Sequence, residues 1–82
     1  NPFNPVTAIR YSLRRPSQVN ITVFNVLGQE VKTLEQGMQS AGTYETTWDG
    51  TNQAGQEVAS GIYFYRLQAG DFSDTRKMTL LK

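Results

Sequence analysis

Apolar side chains recur at every second position through successive short stretches of this chain, and no stretch carries the three-to-four spacing of a helix. From Thr7 to Leu13, Ile9, Tyr11 and Leu13 alternate with Ala8, Arg10 and Ser12, the period of a half-buried strand. Arg14-Arg15-Pro16-Ser17 ends that run. From Gln18 to Val26 the β-branched residues Val19, Ile21 and Val23 form a second inward row against Asn20 and Thr22. Asn25-Val26-Leu27-Gly28 has the chemistry of a tight turn, because Gly28 accepts positive φ at no steric cost. A returning strand from Gln29 to Leu34 follows, its apolar content being Val31 and Leu34, and the polar stretch from Glu35 to Gly42 predicts a loop.

Alternation resumes from Thr43 to Trp48, with Tyr44, Thr46 and Trp48 on one face, and stops at Asp49-Gly50. The small, polar segment from Thr51 to Ser60 has room for a short strand around Gln56 to Val58. From Ile62 to Gln68, Tyr63, Tyr65 and Leu67 form the inward row. After the Ala69-Gly70-Asp71 turn, Met78 and Leu80 line up with the core while Lys77, Thr79 and Leu81 face out. The pattern predicts an all-β fold, an immunoglobulin-like antiparallel β-sandwich of six to seven strands, with Trp48 as the large core anchor in place of a disulfide. Pro2 and Pro5 push Asn1 and Asn4 toward extended conformations, so residues 1–6 read as a linker into a domain spanning 7–82.

Composition narrows the function classes. A chain of 82 residues is one small domain that buries only about 60 to 65% of its unfolded surface. With 38% apolar and 18% charged residues it is too apolar for disorder, and no apolar run approaches the length of a membrane helix. A net charge of +1 supplies no global field for nucleic acid, so no nucleic-acid partner and no integral membrane segment are expected. The chain has neither cysteine nor histidine. Disulfides, thiol nucleophiles, imidazole bases and the usual transition-metal ligands are thereby removed, and neither a cofactor nor an enzymatic activity is expected. No pair among Glu30, Glu35, Glu45, Asp71 and Asp74 recommends itself as general acid and base. The opening Asn-Pro-Phe-Asn-Pro contains no signal peptide, which suggests a piece of a longer precursor.

Three constellations have both a functional and a plain reading. Asp49-Gly50-Thr51-Asn52-Gln53-Ala54-Gly55 spaces oxygen-bearing side chains as a calcium loop does, but with one carboxylate and no later bidentate glutamate it reads first as an Asx-type turn. Trp48, Tyr63 and Tyr65 offer sugar-stacking faces, yet their inward parity assigns them to the core; Phe24, Phe64 and Phe72 sit off the inward rows and are candidates for an exposed contact surface. Arg76, Lys77 and Lys82 either protect an edge strand from pairing with other chains or, with Thr79 and Leu81, form a cation-bordered ribbon that a receptor pairs through β-augmentation. Edge strands of this kind also offer a route to a homodimer.

Four ordered blocks carry a family resemblance. They are Asn1-Pro2-Phe3-Asn4-Pro5 through Leu13, Val23-Phe24-Asn25-Val26-Leu27-Gly28-Gln29-Glu30-Val31, Ala59-Ser60-Gly61-Ile62-Tyr63-Phe64-Tyr65-Arg66-Leu67, and Thr75 through Lys82. Together they resemble the type A C-terminal sorting domain of the bacterial type IX secretion system, while Trp48-Asp49-Gly50 and the segment after it are similar to the related immunoglobulin-like domain of the flagellar hook-cap protein. The resemblance implies a noncatalytic domain at the end of a larger exported cargo, recognised in the periplasm by translocon components, often removed by a sortase-like peptidase, and destined for the cell surface or the medium. Its matching positions are Asn1, Pro2, Asn4, Pro5, Gly28, Ser60, Gly61, Tyr63, Lys77 and Lys82. The family usually has aspartate at the position of Asn25 and arginine at that of Gln29. The rival expectations are an accessory extracellular module binding polysaccharide or protein, and a structural spacer.

Overall fold

The computed structural model describes residues 7–81, which form six strands and no helix. They are β1 (Thr7–Leu13), β2 (Ser17–Phe24), β3 (Glu30–Gln39), β4 (Gly42–Trp48), β5 (Gly61–Ala69) and β6 (Phe72–Leu80). All pairings are antiparallel: β1 with β4 in a two-stranded sheet, and β3-β2-β5-β6 in a four-stranded one. The inner faces of the two sheets enclose the core, the arrangement expected from alternating apolar rows.

Two abutting clusters make up that core. Ile9, Tyr11 and Leu13 of β1 pack on Val19 and Ile21 of β2, and beyond them Trp48 packs with Val23, Tyr63, Met78 and Leu80. Val19, Ile21 and Val23 are wholly buried. Trp48 is the anchor: it meets Tyr63 edge to face at 5.1 Å, and its indole N–H donates to the Thr51 carbonyl at 2.8 Å, so its one polar group is satisfied in the interior. Val31, Tyr65 and Leu67, expected in the core, are only half-buried and flank it. They are half-buried because two strands cannot cover four.

Contacts at its two ends show that the β1–β4 ribbon crosses the larger sheet obliquely. At one end Tyr11 donates to Gln39 of β3 and Tyr44 to the Ser40 carbonyl, whereas at the other Trp48 reaches Tyr63 and Met78 of β5 and β6. One corner over β3 is filled by the segment between β4 and β5, where Gln53 N–H donates to the Val31 carbonyl and the Gln53 side chain accepts from Thr33 N–H. The opposite corner, over the first half of β6, has no such cover.

Several sequence expectations are corrected. Glu35 to Gly42 is not a loop: β3 runs on to Gln39 and turns into β4 through Ser40 and Ala41 alone, because the hydrogen bonds of the β2 ladder hold a strand whose side chains are polar on both faces. The strand expected near Gln56 to Val58 is a single bridge between Thr51 and Glu57. Thr22, assigned outward, is buried, with its hydroxyl donating to Asn20 Oδ1 at 2.7 Å. Phe72 belongs to the core-side row of β6: the ladder is unbroken from Leu80 to Phe72, which pairs with the core-packed Ala69. It is 57% exposed because it lies in the uncovered corner.

Candidate functional site

β6 occupies an edge of the four-stranded sheet. Among the described residues it pairs with β5 alone, so every second residue turns its N–H and C=O away from that partner. Lys77, Thr79 and Leu81 are exposed, as their parity requires, and Leu81 reaches 72%. Arg76, expected to share a cationic border with Lys77, turns to the other face, where it stands across from Tyr65. There its Nε donates to Asp74 Oδ2 at 2.9 Å, and that bond holds the guanidinium even more firmly protonated than usual. Asn1, Pro2, Asn4, Pro5 and Lys82 lie outside the described residues.

The turn glycine Gly28 has φ of 79° and is the fourth residue of a five-residue loop organised by Asn25. The Asn25 side-chain carbonyl accepts from Leu27 N–H at 2.9 Å and Gln29 N–H at 3.0 Å, while its amide donates to Gln29 Oε1 at 2.8 Å. Asn52 repeats the arrangement with Ala54, Gln56 and Gly55 at φ of 83°. The second loop is therefore an Asx turn, the plain reading of the calcium-like segment. Asp49 is also turned inward on its own loop: Oδ1 accepts from the Thr51 hydroxyl at 2.6 Å, and that bond first, with Lys32 Nζ at 3.8 Å adding to it, holds the carboxyl below its ordinary value.

Ser60 is an exposed bend leading to Gly61, whose φ of 151° opens β5. Tyr63 follows, its ring in the core and its hydroxyl donating to the Ala59 carbonyl at 2.7 Å. This closes the entry to β5 as a tyrosine corner does in immunoglobulin-like sandwiches. Ser60, Gly61 and Tyr63 are thus read as parts of one structural corner.

On the outer face, Phe24 stands directly across from Phe64, and the Arg66 guanidinium lies 4.9 Å from the Phe24 ring centroid. With Asn25, Val26, Gly28 and Thr75 they line a cleft of about 320 Å³. Val26 and Leu27 beside it are 67% and 77% exposed, an apolar tip that the turn itself does not require. Parity along the chain places Phe24 and Phe64 off the inward rows; what it does not show is that the pairing of β2 with β5 sets them side by side, with Arg66 over the Phe24 ring.

The architecture is an immunoglobulin-like antiparallel β-sandwich. The family described as the FlgD Ig-like domain matches residues 5–72, and the chain belongs to that family. A solved structure of FlgD from P. aeruginosa superposes with a TM-score of 0.68 at 24% identity, covering 90% of this chain and 57% of that one, a likeness of fold. The chain thus spans little more than half the length of that protein. No curated protein sequence matches it.

Proposed function

We propose that this domain is a noncatalytic address module: a sandwich whose edge strand β6 is gripped by a secretion receptor, in the manner of the type IX C-terminal sorting domains that its sequence blocks resemble. The observation that carries the reading is the position of β6, an unpaired edge nine residues long with Lys77, Thr79 and Leu81 displayed along its outer side. A receptor strand added there gains main-chain hydrogen bonds, and the cation sets register. Translocon and sortase-like proteins are the partners this reading implies, with the periplasm as the route and the cell surface or medium as the destination.

The test is a carrier protein with a leader peptide, fused to residues 1–82 and expressed in a bacterium that has a type IX machine. Export to the surface, and periplasmic retention when residues 76–82 are deleted, is the expected result. Export that survives the deletion, with a Lys77→Glu, Thr79→Pro double variant equally exported, sinks the reading.

A second reading, an accessory binding module, is favoured by the Phe24–Phe64 patch with its stacked Arg66. Micromolar binding on a glycan array that Phe64→Ser abolishes would select it.

A further inference from the structure

The corner that the oblique ribbon leaves bare is a built cleft. Ser12, Leu13, Arg14 and Arg15 form one wall, Ala69 to Phe72 the other, and the space between is about 490 Å³. Its floor is core-side surface: Ala69 packs against the core yet stays half-buried, and Phe72 lies beside it with more than half its surface in water. Along one side runs β1, which among the described residues pairs with β4 alone, so alternate residues of β1 direct their N–H and C=O groups away from that partner. The diagonally opposite corner shows what completion looks like, since there Gln53 of the β4–β5 segment bonds the β3 backbone and closes the gap.

We propose that this corner accepts an extended strand donated by another polypeptide, which pairs with the free edge of β1 and lays an apolar side chain on Phe72 and Ala69. The donor is acidic. Arg14 and Arg15 stand exposed at the rim with no ion pair among the described residues, whereas the rim's one acid is Asp71. Two free guanidiniums against one carboxylate favour carboxylates on the incoming segment and disfavour a basic one. The guest is a third strand of the smaller sheet, a different edge from β6, so this inference stands apart from the export reading.

The probe is a blocked synthetic peptide, acetyl-Gly-Glu-Val-Glu-Leu-Glu-Val-Gly-amide, with a lysine-for-glutamate version as its counterpart. Native-state hydrogen exchange on the whole 82-residue chain should show alternate amides between Arg10 and Leu13 slowed by about tenfold or more at saturating peptide, as newly paired groups are. An Arg14→Glu, Arg15→Glu double variant should bind the acidic peptide at least about tenfold more weakly and recover affinity for the lysine peptide, as complementary rim charges require. Phe72→Ser should weaken both, and since all three positions are exposed these variants keep the fold. Protection confined to β6, equal binding of both peptides by the native chain, or no binding at millimolar peptide each overturns the proposal. So does protection of β1 that rises with protein concentration alone, which would make a second copy of this chain the guest.

Discussion

Asn25 donates a side-chain hydrogen bond of 2.8 Å to Gln29 Oε1 across the β2–β3 turn, and Asn52 donates one of 3.2 Å to Gln56 Oε1 between β4 and β5. Both loops read Asn-x-x-Gly-Gln, and in both the asparagine carbonyl gathers two backbone N–H groups. Asn25 and Gln29, where the sorting domains that the sequence resembles usually carry aspartate and arginine, are therefore bonded partners.

Replacing Asn25 or Asn52 by alanine strips two backbone donors of their acceptor, which should cost about 1 to 2 kcal/mol at either site. Urea denaturation followed by tryptophan fluorescence measures it. Replacing Val26 by glutamine and Leu27 by alanine, the residue types of the second loop, should change stability by less than about 0.5 kcal/mol, because both side chains are exposed.

Removing the core anchor is far more damaging. Trp48→Ala hollows out the cluster of Val23, Tyr63, Met78 and Leu80 and should cost about 3 to 5 kcal/mol, a large share of the total for a small domain. Loss of amide dispersion in the nitrogen–proton NMR spectrum at 37 °C is the readout. Trp48→Phe, which loses the bond to Thr51 but fills most of the volume, should stay folded with a lowered melting temperature.

Acid should act through Asp49. Its folded value lies below the ordinary 3.8, so the loop's contribution is complete above that pH and fades as pH falls through the lower, folded value. Carbon-13 carboxyl titration should show Asp49 as a low titrator, and Thr51→Val, which removes the main hydrogen bond, should bring it upward. An unchanged midpoint in that variant would contradict the assignment.

Alkali should act through Tyr11. Burial pushes its phenol above the ordinary 10.0, so the neutral form belongs to the fold; that stabilisation is present below pH 10 and is lost as pH rises through the raised value. A Tyr11→Phe variant should be less stable at pH 7, for want of the bond to Gln39, yet lose less stability above pH 10.

Much of this was legible in the chain. Ile9, Tyr11, Leu13, Val19, Ile21, Val23, Trp48, Met78 and Leu80 are all buried, because a strand packed on one face writes its inward row at every second residue. The far half of β3 was not legible, since Glu35, Gln36 and Gln39 are polar residues of an edge strand, held by the β2 ladder and by the bond from Tyr11 to Gln39, neither of which shows in the local sequence. The repeated Asn-x-x-Gly-Gln was in plain view, whereas the bare corner is a property of how two sheets of unequal width cross. No single strand encodes it.

The pairing of β1 with β4 joins Thr7 to Trp48 and Leu13 to Gly42, spans of dozens of residues, while β2–β3 and β5–β6 are neighbours closed by short turns. The hairpins can assemble early, but the β2–β5 ladder, which joins Val19 to Ala69, and the β1–β4 ribbon that roofs the sheet must both wait for distant segments to meet, which places this domain among slow folders, in the millisecond-to-second range. Until that roof docks, the apolar rows of Val19, Ile21 and Val23 stand open to solvent and to other chains. A stopped-flow refolding trace in which Trp48 fluorescence lags behind hairpin formation would record the interval in which the half-built domain is most exposed to aggregation and to chaperones.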